Sequence, residues 1–421
     1  MKQEKLSTEP YKGVRDFYPE EYRIRDEVFG CIKKILSLYG YEAYDASPLE
    51  RAELYEAKTS EEIVSEQTYT FTDRGDRRVT LRPEMTPTLA RMVSAKRREL
   101  TFPIRWFSIG NRFRYERPQK GRLREFYQVD VDLLGLSTAE ADKEVLMLAV
   151  SILRELGADD TLFSLRVNSR TLLSVACREA GLGDESTRAY IRLLDKKKKI
   201  SEGEYKKEMA LLSTKDPLSL IEENATKDIQ HERALLEDMI DSLKKSGVES
   251  VVFDPTITRG FDYYTGIVFE IFDTHKENPR SIFGGGRYDN LVGLFGGDKI
   301  PAVGFACGDV TLFDFLSLHN LLPSVTTPAD VFIGTFPEYS ARAEAFAHRL
   351  REHHIRVLLG TPEKSIGKQI AEAGKRNIPF FIAYGEKETT SGTLTLKSLT
   401  RAHEEILREE EVADTIQKTL G

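Results

Sequence analysis

The sequence predicts an α+β chain: a long antiparallel hairpin among helices, then a helical insertion, and after it a smaller α/β domain. Three observations predict it. Strand-like runs at 104–109 and 125–134 flank a polar loop containing glycine and proline (116–124), which makes a long antiparallel hairpin. From 168 to 247 the composition shifts to charged helical sequence with little strand signal. After a short linker at 323–328, strand and helix patterns alternate, as in a compact domain with a partly parallel sheet. The resulting division is 1–167 and 248–322 as two parts of one domain, 168–247 as the insertion, and 329–421 as the C-terminal domain.

The elements follow in order. Residues 20–39 carry Ile24, Val28, Ile32, Ile35, Leu36 and Tyr39 at roughly helical spacing, with Gly40 as the stop. A strand at 41–46 leads to Pro48, which suits a strand end. The turn Arg82-Pro83 precedes a helix at 84–99, and a second helix at 139–156 stops at Gly157. Strand character returns at 251–254 and 262–272, and 304–316 reads as strand then helix. The C-terminal domain reads as strands at 331–336, 355–359 and 380–384, with helices at 341–352 and 364–375.

Composition narrows the function. At 421 residues there is ample core for two to three domains. Hydrophobic residues at 40% and charged ones at 31% describe a globular chain, neither disordered nor fibrous. No apolar run is long enough to span a bilayer, and the opening residues show no secretory signal. Cys31, Cys177 and Cys307 are far apart and odd in number, against a disulfide framework or a Cys-x-x-Cys metal site. A reducing, cytoplasmic setting without membrane association is the expectation. The net charge of −7 excludes a generic nucleic-acid binder, so contact with nucleic acid has to use local patches. One such patch holds ten basic residues between Lys96 and Arg124, its arginines alternating with apolar residues at strand spacing, which aims one set at a common face. Lys196–Lys199 form a shorter run, read as a solvated face.

Several residues could bind an anionic nucleotide. Arg114 and Glu116 open the hairpin loop and Arg122 closes it; Arg259 precedes Gly260; Arg287 follows three glycines. Arginines stay charged and offer a planar fork of donors that suits phosphate. Neither a P-loop nor a Gly-x-Gly-x-x-Gly turn opening a helix is present. The run Gly284-Gly285-Gly286 reads equally as an ordinary turn. A second, acceptor-rich set comprises Glu84, Thr86, Gln128, Asp130, Asp132, Tyr263, Tyr264 and Tyr288. Positions 128, 130 and 132 share one face of their strand, which suggests a polar pocket or else a wet sheet surface. The seven histidines show no ligand spacing for a metal, and no nucleophile elbow occurs.

Together these residues resemble the histidyl-tRNA synthetases, a class II aminoacyl-tRNA synthetase family, over nearly the whole chain. Lys12-Gly13-Val14-Arg15-Asp16-Phe17 and the stretch from Gly40-Tyr41 to Pro48-Leu49-Glu50 resemble the opening and motif 1, the dimer-forming element. Leu81-Arg82-Pro83-Glu84-Met85-Thr86 is similar to the amino-acid-binding turn. Phe113–Arg122 with Arg124–Gln128 matches motif 2. Arg259-Gly260-Phe261-Asp262-Tyr263-Tyr264 and Gly284-Gly285-Gly286-Arg287-Tyr288-Asp289 resemble the two histidine signatures. Ser365-Ile366-Gly367-Lys368-Gln369 and Gly385-Glu386-Lys387-Glu388 resemble the C-terminal anticodon-binding domain.

The resemblance implies a class II synthetase-type antiparallel sheet flanked by helices, and an enzyme that makes histidyl-adenylate from histidine and ATP, then transfers histidine to tRNA(His). It implies Arg114 and Arg259 as catalytic cations on the α-phosphate, and Glu116, Arg122 and Phe126 as further ATP contacts, with Phe126 stacking on adenine. It implies Glu84, Thr86 and Gln128 at the α-amino group, and Asp132, Tyr264 and Tyr288 at the imidazole, with Tyr263 beside them. Mg²⁺ on the outer phosphates and a homodimer through motif 1 also follow from it. One position departs from the family pattern: Gly304-Phe305-Ala306-Cys307-Gly308-Asp309-Val310-Thr311 has threonine where motif 3 carries the arginine that grips the γ-phosphate. Arg287, Arg112 or the metal ion is then expected to compensate. The alternative is a catalytically impaired regulatory or tRNA-binding paralogue.

Overall fold

A computed structural model describes residues 6–56, 67–197, 200–259, 263–324, 327–401 and 403–420. Gly260, Phe261 and Asp262 of the first histidine signature, and Lys198 and Lys199 of the short basic run, lie outside the described residues. The chain divides into two compact units, 1–323 and 324–421.

The first unit begins with α1 (Pro19–Leu38), started by proline at its first position and by Glu20 and Glu21 in the first turn, where the helix dipole favours acid. Val28, Phe29, Ile32, Ile35 and Leu36 form its buried face. Then come β1 (Glu42–Ala43), β2 (Leu49–Arg51), α2 (Ala52–Glu56), β3 (Tyr69–Thr72), β4 (Arg78–Leu81), α3 (Thr86–Lys96), β5 (Ile104–Phe113), β6 (Glu125–Leu134) and α4 (Ala139–Glu155). After β7 (Phe163–Ser169) five helices follow: α5 (Arg170–Glu179), α6 (Asp184–Lys196), α7 (Glu202–Leu212), α8 (Pro217–Glu222) and α9 (Lys227–Lys245). The chain returns through β8 (Val251–Phe253), β9 (Ile267–Asp273), β10 (Ser281–Arg287) and β11 (Ala302–Gly308) to α10 (Asp309–Leu318).

Eight of these strands form one sheet in the order β1-β5-β6-β11-β10-β9-β7-β8. Its pairs are antiparallel except β1 with β5 and β7 with β8. The predicted hairpin is its centre: β5 and β6 pair along ten residues, from Ile104 opposite Leu134 to Phe113 opposite Glu125. Because side chains alternate along a strand, Val129, Val131 and Leu133 of β6 enter the main core with α1 and α4, and Gln128, Asp130 and Asp132 face the other way. Both faces of β6 are nonetheless buried from 128 to 134, so the polar face is covered and not a wet surface.

The second unit holds β12 (Val331–Thr335), α11 (Ser340–Glu352), β13 (Val357–Leu359), α12 (Ile366–Lys375), β14 (Phe380–Tyr384), α13 (Glu386–Ser391), β15 (Thr393–Ser398), β16 (His403–Arg408) and α14 (Glu409–Leu420). Its sheet runs β13-β12-β14-β15-β16, parallel among the first three and antiparallel at β15 and β16. Gln369, fully buried on α12, accepts from the Thr335 N–H and donates to the Thr335 and Lys364 carbonyls, completing hydrogen bonds where β12 ends.

Candidate active site

The site begins with a strand turned into a helix. Glu84 sits between β4 and the first turn of α3, not inside a helix that starts at 84, because Pro83 keeps the preceding backbone extended. Glu84 is 3% exposed; its backbone carbonyl accepts from Tyr55 and its carboxylate from the Tyr263 hydroxyl at 3.2 Å. Arg114 lies one residue beyond β5. Its Nε donates to the Pro83 carbonyl at 3.0 Å, and its guanidinium carbon lies 5.4 Å from the centre of the Phe126 ring. Burial pushes the Arg114 pKa down, opposed by Glu84 and Glu116 on either side. Arg114 thus lies within electrostatic reach of both Glu84 and Glu116.

Arg259 belongs to the loop after β8, not to a strand, and has φ +57°. That left-handed conformation is costly for a residue with a Cβ, and such strain concentrates at functional sites. Its guanidinium donates to Glu270 at 3.0 Å. Gly284 and Gly286 explain why the glycine run lies within β10 and is not a turn. A Cβ on Gly284 would overlap the Arg259 guanidinium, and one on Gly286 would press on the Tyr264 ring. The glycines flatten the strand so that two functional side chains can lie across it.

The polar face of β6 supplies the next group. Asp132 accepts a short hydrogen bond from the Tyr288 hydroxyl, and burial pushes the Asp132 pKa up to about 8. Arg112 neutralises Asp130 at 2.6 Å, and Gln128 donates its amide N–H to the other Asp130 oxygen, also at 2.6 Å. That bond uses one of the two Gln128 amide N–H groups and leaves its carbonyl oxygen as an acceptor. Tyr263 packs on Tyr264 and Tyr288, with ring centres 4.8 and 5.8 Å apart.

All twelve site residues read from the sequence line one cavity of about 1050 Å³: Glu84, Thr86, Arg114, Glu116, Arg122, Phe126, Gln128, Asp132, Arg259, Tyr263, Tyr264 and Tyr288. Three sequence expectations fail. Arg112 and Arg287 do not replace the cation missing at 311. Arg112 is fully buried against Asp130, and Arg287 is held by Asp142, Asp289 and the carbonyls of Leu136 and Thr138. Neither lines the cavity. The basic run from Lys96 to Arg124 is not one face. Arg97 pairs with Asp298, Arg105 with Glu144 and Arg122 with Glu116, because acids from other positions meet each arginine. Lys196 is not merely a solvated residue; with Ile191, Arg192 and Asp195 of α6 it lines the cavity. Sequence reasoning also missed Arg280 and Glu270, which carry no motif signal.

The comparisons agree with this geometry. The family model for histidyl-tRNA synthetase matches residues 13–310, and that for an anticodon binding domain matches 330–419. The chain belongs to the histidyl-tRNA synthetase family. It is 44% identical over 418 residues to the histidine–tRNA ligase of Leptospira biflexa, covering 95% of each chain. It is 36% identical to that of Haloarcula marismortui, covering 92% of this chain and 93% of the relative. In fold it is similar to the histidyl-tRNA synthetase of Nostoc sp. PCC 7120, with a TM-score of 0.81 at 24% identity, covering 99% and 100% of the two chains. An ATP phosphoribosyltransferase regulatory subunit/histidyl-tRNA synthetase from Bacillus halodurans gives 0.71 at 24% identity, covering 91% and 99%. Among the described residues, no helix is long and apolar enough to cross a membrane.

Proposed function

We propose that this synthetase activates L-histidine with ATP and transfers it to the 3′ end of tRNA(His). The observation that carries the reading is the joint placement of Arg114 and Arg259 in one cavity with Glu84, Gln128, Asp132, Tyr264 and Tyr288. The carboxylate of Glu84, the hydroxyl of Thr86 and the carbonyl oxygen of Gln128 are acceptors that receive the α-ammonium group. Asp132, Tyr264 and Tyr288 receive the imidazole, with Tyr263 holding Glu84 in place. A site built from such groups rejects apolar analogues, which would leave buried polar atoms unpaired.

Phe126 stacks on adenine, and Glu116 and Arg122 contact the nucleotide. The histidine carboxylate oxygen attacks the α-phosphorus, the bond to the bridging oxygen breaks, and its electron pair leaves with pyrophosphate. Arg114 and Arg259 stabilise the charge that develops on the α-phosphate, and positioning supplies the rest. Mg²⁺ arrives with the triphosphate as part of the substrate. The terminal ribose hydroxyl of tRNA then attacks the adenylate carbonyl carbon; the ester bond forms, the carbon–oxygen bond to phosphate breaks, AMP leaves with that electron pair, and the hydroxyl proton is released. The second unit binds the anticodon, and a homodimer forms through motif 1 in the cytoplasm. The non-catalytic paralogue is not favoured, since both relatives named above are ligases over more than nine-tenths of the chain.

Histidine-dependent ATP–pyrophosphate exchange tests this directly. Exchange with histidine and not with other amino acids is the expected result. Its absence from folded protein overturns the proposal.

A further inference from the structure

The hairpin-loop end of the cavity contains a cation that no sequence motif assigns. Arg280 lies at the end of the loop between β9 and β10 and lines the cavity with Gly121, Arg122 and Thr311. Its Nε donates to the Lys120 carbonyl at 3.1 Å. Both terminal nitrogens remain without a protein hydrogen bond or ion pair among the described residues. A guanidinium fixed at one nitrogen presents the other two as a fork of donors, the geometry that suits a phosphate.

Three features hold the fork where it is. Gly121 has φ +74°, and a Cβ there would overlap the Arg280 side chain, so Arg280 lies directly against the hairpin loop. Asn278, 3% exposed, donates from one amide nitrogen to Asp273 and to the Thr311 carbonyl, tying this loop to the start of α10. Thr311 turns its own hydroxyl back to the Gly308 carbonyl, leaving only its methyl near Gly121. Arg122 and Glu116 complete the cluster: Glu116 pairs with Arg122 at 2.9 Å and makes no ion pair with Arg280. Burial and the nearby positive charge of Arg122 lower the Arg280 pKa, and Glu116 opposes them.

We infer that Arg280 binds the outer phosphates of ATP and the departing pyrophosphate, supplying from the β9–β10 loop the cation that Thr311 does not supply from α10. This rests on the function proposed above. The orientation follows from the cavity. Asp132 groups with the tyrosines, Arg114 and Arg259 lie within electrostatic reach of one another, and Arg280 lies with Arg122 and Glu116 of the hairpin loop. When the α-phosphorus bond breaks, the electron pair and its charge move toward Arg280. No proton is transferred in that step.

The test compares wild type, Arg280→Ala and Arg280→Lys in ATP–pyrophosphate exchange, alongside binding of a non-hydrolysable histidyl-sulfamoyl adenosine, which lacks the outer phosphates. Arg280→Ala is expected to lower the exchange rate by about a hundred-fold. KM for ATP and for pyrophosphate should rise, Arg280→Lys should fall between, and affinity for the adenylate analogue should hold. A parallel loss of analogue binding would reveal a residue that only props the hairpin loop and would overturn the inference, as would an unchanged KM for pyrophosphate. Wild-type exchange is the control. Its absence defeats the proposed function, whereas normal wild-type exchange with an unaffected Arg280→Ala defeats this assignment alone.

Discussion

Asp132→Asn is the most informative single change, because it keeps the shape of the side chain and removes only its charge. In the ligand-free protein, burial is the main force raising the Asp132 pKa from 3.8 to about 8; Asp130 adds to it, and Tyr288 and Arg112 oppose it. The folded protein therefore binds this proton more tightly than the unfolded chain does. Between pH 4 and 8 the folded state holds more protons, so the contribution of this group to stability falls as pH rises and is fully lost above about 8. The gap between 3.8 and about 8 corresponds to a charging cost on the order of 5 kcal/mol. Asparagine has no such cost, and its carbonyl still accepts from Tyr288.

Thermal unfolding of both proteins from pH 5 to pH 9, without ligands, reads the difference. The variant should gain on wild type steadily with pH, reaching on the order of 5–10 °C above pH 8 for a unit of this size. Above pH 8, where Asp132 is ionised, KM for histidine should rise by about ten-fold to a hundred-fold, the worth of one hydrogen bond to a charged group, and KM for ATP should hold. Melting curves that shift in parallel at every pH would refute the raised pKa. An unchanged KM for histidine would refute the placement of the imidazole.

Other changes separate the parts of the site. Arg259→Ala should abolish adenylate formation while filter binding still detects tRNA(His); equal loss of both would remove Arg259 from the phosphate. Gly284→Ala should reduce pyrophosphate exchange by about a hundred-fold by displacing the Arg259 guanidinium, with the far-UV circular dichroism spectrum unchanged. In the second unit, Gln369→Ala should destabilise by about 2–4 kcal/mol in urea unfolding, since it strands the Thr335 and Lys364 backbone groups that Gln369 pairs. Charging in the variant should fall with the folded fraction of that unit, and pyrophosphate exchange should not.

What was legible in the sequence follows from the range of the forces involved. The β5–β6 hairpin, α1, α4 and the alternation from Val331 to Tyr384 are local patterns, where hydrophobic period decides the element. The twelve cavity residues were legible because motifs fix residue type and order, although nothing in the order shows that Arg259 reaches across Gly284 to share a cavity with Arg114. Reading arginines by their own neighbours failed. Arg105, Arg112 and Arg287 look alike in sequence to Arg114, yet each is neutralised by an acid supplied from another element, Glu144, Asp130 and Asp142. The β15–β16 hairpin and α14 were not predicted, because their apolar residues are few: Leu394, Leu396 and Leu407 on the strands, and Val412, Ala413 and Ile416 on the helix. Tertiary packing, not local pattern, decides them.

The same reasoning explains how a threonine can stand at 311 in an otherwise complete site. A phosphate requires a guanidinium at a point in space, not at a point in the chain. The sheet brings the β5–β6 loop, the β9–β10 loop and the start of α10 to one end of the cavity, so any of the three can supply it. Asn278 is the hinge of that exchange. Its buried amide bonds fix the β9–β10 loop to α10, so Arg280 and the Thr311 methyl lie together against Gly121.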